Sequence, residues 1–87
     1  MSEREEFLYS MDMIEGDIYH RQIARYFLEC QAAQKQVDDK LAKQFAYDWV
    51  KSIRTLGISG EGIEFRNGLK KKMLQQIRDM RQETRDN

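Results

Sequence analysis

His20, Cys30 and a set of carboxylates are the side chains through which this sequence could do chemistry. Glu15, Asp17 and His20 form an E-x-D-x-x-H cluster, whose carboxylates and imidazole are metal-ligand types. Metal-binding histidines are usually joined by a second strong ligand one helical turn away or by a second histidine. His20 is the sole histidine in the chain, so no metal is expected. Cys30 could act as a nucleophile only beside a base that lowers its pKa. It falls inside an apolar stripe, which predicts a buried, inert thiol. The serines lack a G-x-S-x-G context, and one imidazole leaves a catalytic triad little to draw on. Gly60-x-Gly62 lacks the third glycine and the preceding strand of a dinucleotide-binding loop. The expectation is therefore a protein that is not an enzyme and takes no cofactor.

The elements that would position any site follow from apolar spacing. The chain has 87 residues, five glycines and no proline, which suits one domain built from uninterrupted helices. Ser2 and Glu5 have capping-box spacing, and Phe7, Met11 and Ile14 share a face, predicting a short helix over 3–15. Tyr19, Ile23, Tyr26, Cys30, Ala33 and Val37 recur at steps of three and four, predicting a helix over 17–37. Leu41, Ala42, Phe45, Ala46, Trp49, Ile53 and Leu56 form a wider arc over 40–56, wide enough to touch two neighbours. Leu69, Met73, Ile77 and Met80 mark a helix over 68–84. Four of the five glycines fall within 57–68, which reads as a Gly-rich loop. The fold expected is all-α: a small antiparallel helical bundle, a single domain over 1–87, with three main helices and a short N-terminal one.

The net charge of zero is unevenly spread. Residues 1–18 hold one base and six acids (−5), residues 19–65 seven and six (+1), and residues 66–87 seven and three (+4). Either the two ends neutralise one another within the bundle, or they select partners. Lys71, Gln75, Arg78, Gln82 and Arg85 step by four and three, a basic and amide stripe opposite the apolar face. Lys71, Arg78 and Arg85 are the candidate contacts for a protein partner with an acidic surface. Leu28, Tyr47 and Val50 lie off the main stripes and are candidate apolar anchors for that partner or for a homodimer.

The segment Ile53-Arg54-Thr55-Leu56-Gly57-Ile58-Ser59, followed by Ile63, resembles the turn of helix-turn-helix DNA-binding domains. The resemblance implies a DNA-binding regulator using residues 53–72, with Ser59, Gly60, Glu61, Glu64 and Arg66 facing the major groove. Ile53 stands where those families carry a small residue, and Arg66 where they carry an apolar one. Nucleic acid is the alternative to a protein partner. The acidic N-terminus is unlike a signal peptide, and no apolar run is long enough to span a bilayer, so the chain reads as cytoplasmic with no membrane partner.

Overall fold

The computed structural model describes residues 2–81, which form four helices: α1 (Glu3–Tyr9), α2 (Met13–Ala32), α3 (Asp39–Leu56) and α4 (Gly60–Asp79). They pack as the expected all-α bundle, α3 lying between α2 and α4. Tyr26 and Cys30 of α2, Ala42 and Phe45 of α3, and Met73 and Ile77 of α4 bury one cluster. Tyr19, Ala46, Tyr47 and Val50 bury a second, over which Phe7 and Leu8 of α1 are laid.

Four boundaries differ from the sequence expectation; the simplest is that α4 ends at Asp79, short of residue 84, because Met80 is extended. The first helix ends at Tyr9 rather than at residue 15, because Asp12 is extended and caps α2 in a reciprocal box with Glu15. Gly16 and Asp17 therefore lie inside α2. Helix α2 stops at Ala32 rather than Val37. Gln34 adopts φ +57° there, its N–H donates to Gln31 and the Lys35 N–H donates to Cys30. That is a Schellman closure with glutamine where glycine is usual.

The last difference is the largest: residues 60–68 are helix, not loop. Gly57, at φ +62°, ends α3, and the Ser59 hydroxyl caps α4 by accepting from Gly62 N–H at 3.2 Å. The true connection is three residues long, Gly57-Ile58-Ser59. Glycine costs a helix about 1 kcal/mol relative to alanine. Burial of Met73 and Ile77 further along α4, with half-buried Leu69 beside them, outweighs that.

Candidate functional site

His20 is exposed and lies edge-on to Tyr19, ring centroids 5.6 Å apart. Glu15 is engaged elsewhere, with Arg54. Among the described residues, no three histidine, cysteine or acidic side chains are grouped so that they could hold a metal ion. Cys30 is fully buried. Burial pushes its thiol pKa up, and burial likewise raises the neighbouring Tyr26 phenol, whose hydroxyl donates to Met80 Sδ at 3.5 Å. A raised thiol pKa disfavours the thiolate that a nucleophile requires.

Two of the three apolar anchors are corrected. Val50 has no exposure and Tyr47 only 7%, so neither presents a surface to a partner. The Phe7 ring of α1 meets Tyr47 edge-on at 4.9 Å, and Val50 is buried in the same cluster with Tyr19 of α2. Leu28 does stand in solvent, 65% exposed, beside the partly exposed Phe27.

On α4, Lys71 and Arg78 are exposed, as are Lys70 and Lys72. The Arg78 guanidinium donates to Gln75 Oε1 at 3.1 Å, along the stripe that the spacing marks. Arg85 lies outside the described residues. The acidic head pairs with α3 rather than with this basic helix: Glu3 faces Lys51 at 3.7 Å and Glu15 takes Arg54 at 2.6 Å.

The helix-turn-helix resemblance extends to the connection and no further. A DNA-reading helix crosses its scaffold helix at about 90–120°. Here α4 runs back along α3. Phe65 shares a groove with Ser52 and Thr55, Leu69 and Lys72 share the next with Phe45 and Asp48, and Ile77 reaches the cluster around Ala42. Arg66, expected to face a groove of DNA, is 8% exposed and points inward. It donates to Ser52 Oγ at 2.9 Å and to the Gly57 carbonyl, where it meets the negative end of the α3 dipole. Ser59 and Gly60 are exposed, flanked by the exposed acids Glu61 and Glu64, which oppose phosphate.

One surface was only partly visible in the sequence, where Tyr9 and Met13 lie off the main apolar stripes. Antiparallel packing brings the α1–α2 junction and the α3–α4 turn to the same end of the bundle. Arg54, three residues before Gly57, spans both, bonding Glu15 and the carbonyl and hydroxyl of Ser10. At that end Tyr9 (87%), Met13 (88%), Ile14 (72%) and Ile58 (88%) stand in solvent, with Ile63 half exposed. Asp12, Asp17, Glu61 and Glu64 are exposed around them. Tyr9, Met13 and Ile14 are near neighbours in sequence, and packing brings Ile58 and Ile63 of the α3–α4 junction to the same end.

No protein family, no curated protein and no solved structure matches this chain. Among the described residues no helix is long and apolar enough to cross a membrane.

Proposed function

We propose that this chain is a non-enzymatic protein-binding module, an adaptor, inhibitor or regulatory subunit, which docks through the apolar end of its bundle. The observation that carries this reading is that Tyr9, Met13, Ile14 and Ile58, each more than two-thirds exposed, fall at one end of the bundle, with Phe27 and Leu28 exposed elsewhere on α2. Scattered exposed apolar side chains are ordinary, whereas a contiguous group rimmed by polar ones favours an interface. The rim of Asp12, Asp17, Glu61 and Glu64 suits a partner whose own apolar anchor is flanked by lysine or arginine. The basic face of α4 at Lys71 and Arg78 remains open for steering toward an acidic surface, a contribution to encounter more than to affinity. A single buried thiol is compatible with a reducing, cytoplasmic setting.

The test is quantitative capture of partners from native lysate with three forms of the protein, with and without nuclease. Met13→Glu with Ile58→Glu removes the captured protein, while Lys71→Glu with Arg78→Glu slows capture without abolishing it. Unchanged capture by the first variant would refute the docking surface. Capture lost on nuclease treatment would instead return the chain to nucleic-acid binding.

A further inference from the structure

Helix α1 has the character of a tethered ligand. None of its residues is buried, and only Ser10, Met11 and Asp12 join it to α2. Its seat is on α3: Arg4 Nη1 donates to Gln44 Oε1 at 2.9 Å, Glu3 faces Lys51, and Phe7 lies between the Tyr47 ring and the Arg54 guanidinium, 4.2 Å away. An acidic helix thus sits against basic side chains of α3. A helix of seven residues is marginal by itself, so the seat on α3 is what maintains it.

The break between α1 and α2 is slight. Ser10 is close to helical (φ −90°, ψ −1°), whereas Asp12 is extended (φ −84°, ψ −179°) and holds α2 open through its capping box. Were Asp12 helical, residues 3–32 would form one rod on the order of 45 Å long. Phe7, Met11, Ile14 and Ile18 would then recur along one face at steps of four, three and four. In such a rod α1 projects past its own α3 and can reach only the α3 of another copy. The seat there is identical, so every α1 contact reforms and only the hinge changes. The hinge is also where the fold leaves Tyr9, Met13 and Ile14 uncovered.

We propose that two copies of this chain exchange α1, each seating it on the partner's Tyr47 site. This goes beyond the docking reading, since the Tyr47 seat lies apart from the exposed apolar end.

Exchange is tested by mixing a chain carrying Arg4→Cys with one carrying Gln44→Cys and adding a short bismaleimide. The exchanged dimer yields a link between positions 4 and 44 of different chains, increasing with concentration. Asp12→Ala strengthens the dimer on the order of a hundredfold, a factor of ten per hinge for each lost N-cap of about 1.4 kcal/mol. Met13→Pro, which suits the first turn of α2 but not a continuous rod, suppresses the link. The proposal is overturned if a chain carrying both cysteines links only within itself, the mixture gives no link, and Asp12→Ala stays monomeric at its highest soluble concentration. If capture by the apolar end still depends on Met13 and Ile58 in that case, exchange alone has failed and the docking surface stands.

Discussion

Arg54 and Glu15 form a two-bond fork, Nε to Oε2 and Nη2 to Oε1, each at 2.6 Å. The pair ties the last turn of α3 to the first turn of α2, and Arg54 also reaches Ser10 behind it. Bidentate geometry makes this one of the stronger surface ion pairs. It fixes the end of the bundle where the exposed apolar side chains gather.

The pH dependence of stability follows from that pair. Its hydrogen bonds to Arg54 hold the Glu15 carboxyl below the usual carboxylate value. A depressed folded-state pKa contributes stability above the ordinary value and loses it as the pH falls through the folded one. Glu15→Gln keeps a capping-box side chain while removing the charge. It should cost about 1 kcal/mol in urea unfolding at pH 7. The difference from wild type should vanish in acid, below the folded pKa. A difference that persists there would show that the carboxylate charge is not what Arg54 recognises.

The five glycines separate into two groups. A Cβ at Gly62 would lie 2.5 Å from the Gly57 carbonyl oxygen, a backbone atom that cannot step aside, and Gly57 itself has φ +62°. Alanine at either should destabilise by about 1–3 kcal/mol. Gly16, Gly60 and Gly68 face open space within helices, so alanine there should stabilise by about 0.5–1 kcal/mol each. Thermal midpoints measure all five. Loss of stability at both Gly60→Ala and Gly68→Ala would contradict the early start of α4.

Arg66 is a buried cation whose acceptors are the Ser52 hydroxyl and the Gly57 carbonyl. Ser52→Ala leaves a buried guanidinium short of a partner and should cost about 1–3 kcal/mol. Arg66→Lys should also destabilise, since an ammonium lacks the fork that reaches both acceptors. Chemical denaturation of the two variants decides it, and wild-type midpoints in both would mean Arg66 does not fasten the turn.

How much of this was legible depends on the range of the forces involved. The arc over Leu41–Leu56 correctly announced a helix touching more than one neighbour, and α3 does lie between α2 and α4. Leu28, opposite its helix stripe, is exposed as its position implied. The stop at Gln34 was hidden because glutamine occupies a left-handed site that glycine usually marks. The glycine cluster over 57–68 misled because tertiary burial along α4 outweighs local propensity, although Gly57 and Ser59 carry the stop and start signals side by side. Tyr47 and Val50 looked free because the residues that bury them, Phe7 of α1 and Tyr19 of α2, are distant in sequence. The apolar end was legible in part: Tyr9 and Met13 lie off the main stripes near one another, whereas Ile58 joins them only through antiparallel packing.

Hydroxyl-radical footprinting tests the central claim, docking through the apolar end, most directly. The protein is labelled alone and when bound to its captured partner or self-associated at high concentration. Oxidation should fall at Tyr9, Met13 and Ile58 in the bound state and stay constant at Leu28. Protection confined to Leu28 or to the Lys71–Arg78 face, with Met13 oxidised as readily as in the free chain, would contradict it.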